Sequence, residues 1–142
     1  MIYDTDNIFA KVIRGEVAAH KVYEDDLTLA FMDIMPQTRG HTLVIPKAEA
    51  TNVFDISDDM LAATILTTRK VAHAVQAAFD PAGMMIGQLN GPVAGQTVFH
   101  LHVHIIPRYE AGGFQFHGRP PEDSAVLEEN AAAIRRHLES DA

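Results

Sequence analysis

The apolar positions of the chain fall into short runs separated by turn-forming residues, and the spacing inside each run distinguishes helix from strand. After Asn7, a favourable helix cap, Ile8, Phe9, Val12 and Ile13 recur at helical spacing until Gly15, which predicts a short amphipathic helix. Lys21 to Tyr23 and Thr28 to Met32 predict two strands about the turn Glu24-Asp25-Asp26, and His41 to Ile45 predicts a third, closed by Pro46. The strongest helical pattern runs from Ser57 or Asp58 to Phe79, with Leu61, Ile65, Ala72, Val75 and Phe79 on one stripe, before Pro81 and Gly83 end it. Met84 to Leu89 is apolar enough for a buried strand, Asn90-Gly91-Pro92 is turn chemistry, and Thr97 to Ile106 alternates as a strand into Pro107. A last helix is predicted over Ser124 to Leu138, with Val126, Leu127, Ile134 and Leu138 as its apolar positions. Strands mostly follow one another with helices inserted, which predicts an α+β domain with an antiparallel sheet of about five strands.

A length of 142 residues with 47% hydrophobic content suits one domain with a single core, so residues 1–142 are taken as one unit. No repeat or linker divides them; the Gly- and Pro-rich stretch Ala111 to Asp123 is the nearest to a flexible segment. A formal net charge of -8 argues against non-specific binding to nucleic acid or to an anionic membrane, though a small phosphate ester could still be held by a local donor cluster. The first residues lack a basic segment followed by an apolar run, and no apolar stretch is long enough to span a bilayer, so a cytoplasmic location is expected. Cysteine is absent, which removes disulfides, thiolate nucleophiles and Cys-ligated zinc together.

The chemistry concentrates in His100-Leu101-His102-Val103-His104. On a strand these imidazoles share one face, while Phe99, Leu101, Val103 and Ile105 take the other. Imidazoles so close would repel one another if all were protonated, so at neutral pH the row is expected to be mostly neutral. Neutral imidazoles attack phosphorus, pass protons or bind metal, and the spacing alone leaves nucleophile and zinc ligand both open. The preceding segment favours phosphate chemistry. Asn90-Gly91-Pro92-Val93-Ala94-Gly95-Gln96-Thr97 offers a turn whose backbone can approach a ligand closely, followed by amide and hydroxyl donors.

Joined to the row, this segment resembles the histidine triad superfamily, whose pattern is His-φ-His-φ-His-φ-φ with φ apolar, and within it the Hint-like and bacterial triad-hydrolase branch. The resemblance extends from about Asn7 to Arg108 through Ile8-Phe9-Ala10-Lys11-Val12-Ile13, Ala30-Phe31-Met32-Asp33-Ile34 and Gly40-His41-Thr42-Leu43-Val44-Ile45-Pro46-Lys47, and fades in an extension over about 109–142. It implies a dimerising fold and hydrolysis of a purine nucleoside phosphoramidate such as an adenylylated amine. His102 is then the nucleophile, held in its attacking tautomer by His100 and its backbone. His104 contacts phosphoryl oxygens or assists the leaving group, and His41 supports the row from an adjacent strand. Asn90, Gly95, Gln96 and Thr97 match the phosphate-binding positions, Asp33 the ribose carboxylate, and Ile8, Phe9, Val12, Phe31, Ile34 and Leu43 the slot for the base.

The same resemblance leaves two alternatives: hydrolysis of dinucleoside polyphosphates through the same nucleophile, and a non-enzymatic nucleotide-binding regulatory protein. Some bacterial relatives hold a structural zinc with a Cys-x-x-Cys before the first helix, a His after the Pro-Lys pair and the first triad His. Here the corresponding positions are Asn7, Ala10, Glu49 and His100, so neither structural zinc nor another cofactor is expected.

Overall fold

A computed structural model describes residues 2–112 and 120–140. Along the chain these form α1 (Ile8–Ile13), β1 (Lys21–Glu24), β2 (Thr28–Met32), β3 (Thr42–Pro46), α2 (Asp58–Phe79), β4 (Gly83–Gly87), a 3-10 turn (Pro92–Ala94), β5 (Val103–Arg108) and α3 (Ser124–Ser140). The strands make one sheet in the order β1-β2-β3-β5-β4, with every pairing antiparallel. Among the described residues no helix is long and apolar enough to cross a membrane.

β2 and β3 are buried along their whole length, so each face of the sheet has its own cover. Ala30, Met32, Val44 and Ile105 face α2 and α3, where they pack with Val71, Val75, Leu127 and Ile134. Leu29, Phe31, Leu43 and Ile45 face the other way, against Phe9 and Val12 of α1. The strand period thus divides a helix-covered layer from a layer on which only a short helix sits.

Several elements depart from the sequence expectation, each for a physical reason. The strand expected from Thr97 begins at Val103, where pairing to Val44 starts, so His100 and His102 precede the ladder. Pro46 and Pro107 lie inside β3 and β5, and both are paired. The Met84 to Leu89 segment becomes the edge strand β4, over Gly83–Gly87, and is not buried, because only β5 pairs with it.

In α2 the expected stripe is partly inverted: Leu61 and Ile65 are exposed, while Thr64, Thr67 and Thr68 are buried. Threonine tolerates this site because its hydroxyl finds a partner inside. Thr68 and Thr64 donate to the carbonyls one turn back, and Thr67 meets the Thr28 hydroxyl at 2.9 Å. On α3, Val126 is exposed, and Ala131 is buried with Leu127, Ile134 and Leu138. That helix completes the core over α2 and β1 and is no appendage. The Gly- and Pro-rich stretch expected to be flexible falls largely on residues 113–119, outside those described.

Candidate active site

A cavity of about 440 Å³ opens between α1, the end of β2 and the histidine row. Its apolar wall contains Ile8, Phe9, Val12, Phe31, Ile34 and Leu43, the residues singled out in sequence for a base slot, and Val17, Ala19, Met35 and Val98, which sequence reasoning missed. Its polar positions include Asp33, Gln37, Thr97, His102 and His104, and no lysine or arginine is among its lining residues. α1 is set over this wall by Asn7, whose side chain accepts from the Ala10 amide at 2.9 Å and so satisfies one of the helix's orphan donors.

His104 stands on β5 opposite Leu43. His41 immediately precedes β3, and its neighbour Gly40 has φ +92, with the Phe79 ring 2.7 Å from where a Cβ would lie, so only glycine fits there. The hydrogen bonds fix where the protons sit. The Gln37 amide donates to His41 Nδ1 at 3.0 Å, so neutral His41 carries its proton on Nε2. That nitrogen lies 3.0 Å from His104 Nδ1 and 3.4 Å from an Asp33 carboxylate oxygen. With His104 Nδ1 accepting, the His104 proton belongs on Nε2.

His102 is set differently. Its Nδ1 lies 2.7 Å from the His100 carbonyl, which can only accept, so the proton is on Nδ1 and the lone pair on Nε2. The His102 and His104 ring centroids are 5.0 Å apart, and the Phe9 ring meets His102 edge-on at 5.0 Å. His100 does not join the row: its ring turns away, donating from Nε2 to the Pro46 carbonyl at 2.7 Å and facing the Tyr3 hydroxyl with Nδ1. The expected single face of three imidazoles is therefore His41, His102 and His104. Its physical reason is the late start of β5, which frees residue 100 from strand alternation.

The residues expected to bind phosphate do not all lie on the cavity wall. Thr97 reaches the cavity, whereas Asn90, Gly95 and Gln96 are not among its lining residues. The Gln96 side chain is spent on the backbone: Nε2 donates to the Thr51 and Val98 carbonyls at 2.7 and 3.1 Å, and Oε1 accepts from the Gly91 amide at 2.8 Å. In this arrangement it braces the loop. Asn90 likewise accepts from the Val53 amide and from Gln88, joining two loops. Asp33 combines two uses, since one oxygen accepts from the Met35 amide at 2.8 Å while the other faces His41.

Burial controls the charge of the supporting histidines. His41 is pushed down to about 3, first by loss of hydration and then by repulsion from His102. Burial also lowers His100, against the smaller opposing influence of the Pro46 carbonyl and nearby acids. A stability prediction follows for His41. Its unfolded form takes up a proton below about 6.5 while the folded form resists until about 3, so stability is fully present above the upper value and is lost as pH falls. The loss expected from His41 alone at pH 5 is about 2 kcal/mol. Urea unfolding at pH 8 and pH 5 measures it; a His41→Asn variant should show a shallower pH dependence, and an unchanged slope would contradict the assignment.

The positions that hold structural zinc in some bacterial relatives do not suit a metal here. Ala10 has no donor atom, Asn7 is engaged at both ends by Ala10 and Asp4, and both nitrogens of His100 are engaged. Among the described residues, the donor atoms of Asp33, His41 and His104 do converge within 4.8 Å of one another, in the arrangement given above.

The HIT domain family model matches residues 14–111. The fold superposes with a TM-score of 0.89 on a Hit-like protein involved in cell-cycle regulation from Bartonella henselae, 46% identical, covering 96% of this chain and 99% of that one. A zinc-bound histidine triad family protein from Mycobacterium smegmatis superposes with a TM-score of 0.83 at 32% identity, covering 96% of this chain and 95% of that one. The adenosine 5′-monophosphoramidase of Schizosaccharomyces pombe is 36% identical over 131 residues, 89% of this chain and 96% of that protein.

Proposed function

Because the chain belongs to the HIT domain family, we propose that it is a nucleotide hydrolase acting through a covalent nucleotidyl-His102 intermediate, with purine nucleoside phosphoramidates as its substrates. The observation that carries this reading is the tautomer of His102. Its Nδ1 proton is committed to the His100 carbonyl, which leaves the Nε2 lone pair as the nucleophile in a residue that lines the cavity. The relative from Schizosaccharomyces pombe named as an adenosine 5′-monophosphoramidase supports the substrate class.

In the proposed reaction, His102 Nε2 attacks the α-phosphorus of a substrate that has taken up a proton from solvent on its amide nitrogen. The P–N bond breaks, and the neutral amine departs with that proton while the His104 Nε2–H donates a hydrogen bond to the phosphoryl oxygens. The positive charge left on the His102 ring is stabilised by the His100 carbonyl against Nδ1–H. Water then adds to phosphorus, the P–Nε2 bond breaks, and the proton lost by water passes to solvent, releasing the nucleoside monophosphate and neutral His102. Thr97 and the main chain before it serve the phosphoryl oxygens, and the apolar wall takes the base.

Turnover compared on an adenosine phosphoramidate, a diadenosine polyphosphate and a simple phosphomonoester tests the reading, together with trapping of labelled nucleotidyl-protein. Preference for the phosphoramidate with a trapped adduct is the expected result. Preference for the polyphosphate would change the substrate, tight binding without turnover would make the protein a regulatory binder, and activity lost on chelation and regained with zinc would move the chemistry onto Asp33, His41 and His104.

Asp33 is assigned to the ribose hydroxyls, since it lies on the cavity wall and one carboxylate oxygen already serves the turn. Asp33→Asn should raise the Kd of ribonucleotides about tenfold while leaving 2′-deoxy analogues within about threefold. Equal losses for both would reduce Asp33 to a turn residue.

We also assign a homodimer. Exposed Ile65 of α2 and Ile86 of the edge strand β4 share one groove, and the open side of β4 offers unpaired backbone to a second copy. Sedimentation of the full chain measures this, and a monomer at micromolar concentration would exclude it.

A further inference from the structure

His100 is fully buried, yet it neither lines the cavity nor joins the imidazole row. Both its ring nitrogens are nonetheless tied. Nε2 donates to the Pro46 carbonyl, at the end of β3, at 2.7 Å. In the neutral ring this leaves Nδ1 as an acceptor, and the hydroxyl of Tyr3 lies 2.5 Å from it, with the two rings meeting edge-on at 5.6 Å. The direction of that bond is therefore Tyr3 O–H to His100 Nδ1. Burial acts on both partners to preserve it: it raises Tyr3, which stays a donor, and lowers His100, which stays an acceptor.

The consequence reaches His102 through one peptide group. The His100 carbonyl accepts the His102 Nδ1 proton at 2.7 Å, and the same peptide's N–H, on Leu101, donates to the Ala50 carbonyl at 2.8 Å. Since β5 starts only at Val103, no strand ladder holds this peptide. It is oriented by Ala50 on one side and by the anchored His100 side chain on the other. Tyr3 occupies the second ring nitrogen of His100.

We propose that Tyr3 is a positioning residue for His102: its hydroxyl anchors His100 at Nδ1, and through His100 it steadies the carbonyl that keeps the His102 proton on Nδ1. The kinetic side of this proposal rests on the nucleotidyl-transfer reading, whereas the tautomer of His102 does not depend on any substrate.

The experiment uses the full chain and the variant Tyr3→Phe, which retains the ring and removes only the hydroxyl. In protein labelled with 15N-histidine, the parent should show His102 protonated on Nδ1 alone, and Tyr3→Phe should show a mixture of the two neutral tautomers. With adenosine phosphoramidate, kcat should fall about tenfold while KM stays within about twofold, because the cavity wall that binds the nucleoside is untouched. A purely structural role would lower the melting temperature without moving the tautomer or splitting kcat from KM. A His102 spectrum identical to the parent's overturns the proposal, and so does full turnover in the variant. If the parent turns over none of the nucleotides, the proposed activity fails by itself, and the spectrum still decides the role of Tyr3.

Discussion

Replacing His102 with alanine is expected to lower turnover of adenosine phosphoramidate by at least about a thousandfold, roughly 4 kcal/mol in the barrier, while AMP still binds within about threefold of the parent. The two effects separate because different groups produce them. His102 Nε2 supplies the reaction path, whereas Ile8, Phe9, Phe31 and Leu43 on the cavity wall supply apolar contact. Single-turnover kinetics and a binding titration on the same preparation measure both. Residual activity within about tenfold of the parent, about 1.4 kcal/mol, would mean that another group attacks phosphorus. His104 is the nearest candidate, but in the neutral site its Nδ1 faces the His41 proton and its Nε2 carries a proton, so neither nitrogen presents a lone pair to a substrate.

The second large effect concerns stability. Ile134 of α3 is fully buried among Val71, Val75 and Leu127. Ile134→Ala removes this packing and leaves a cavity in the layer between α2, α3 and the sheet, at a cost of about 3 kcal/mol. For a chain of this size that corresponds to a fall in Tm of roughly 10 °C. Val126 was an equal candidate for the core by sequence but is 40% exposed, so Val126→Ala should change stability by less than about 0.5 kcal/mol. Thermal and urea unfolding of both variants decides the matter: similar losses for the two would mean that α3 does not pack as described. The segment also touches the site's surroundings, because the Glu122 amide donates to the Ile34 carbonyl at 2.8 Å, just beyond Asp33. A destabilised α3 should therefore loosen the cavity rim as well as the core.

By itself the sequence determined the parts that depend on short-range periodicity and on residue chemistry. Five strands and three helices were legible because turn residues punctuate runs with clear periods of two or of about 3.6. Of the imidazole row, His102 and His104 were legible; the apolar wall was expected only through the family resemblance, and alternation along β2 and β3 sends Phe31 and Leu43 to its side and Ala30 and Val44 to the other. The tertiary structure decided what depends on partners far away in the chain. His100 left the row because residue 100 lies before the ladder of β5 and finds Pro46 and Tyr3 instead, the latter 97 positions away. Gln96 became a loop brace because its amide meets carbonyls at Thr51 and Val98. The inner face of α2 carries threonines because Thr28 on β2 is there to receive one of them. In each case a polar side chain has several possible local partners, and only the packing of strands and helices selects the one it meets once buried.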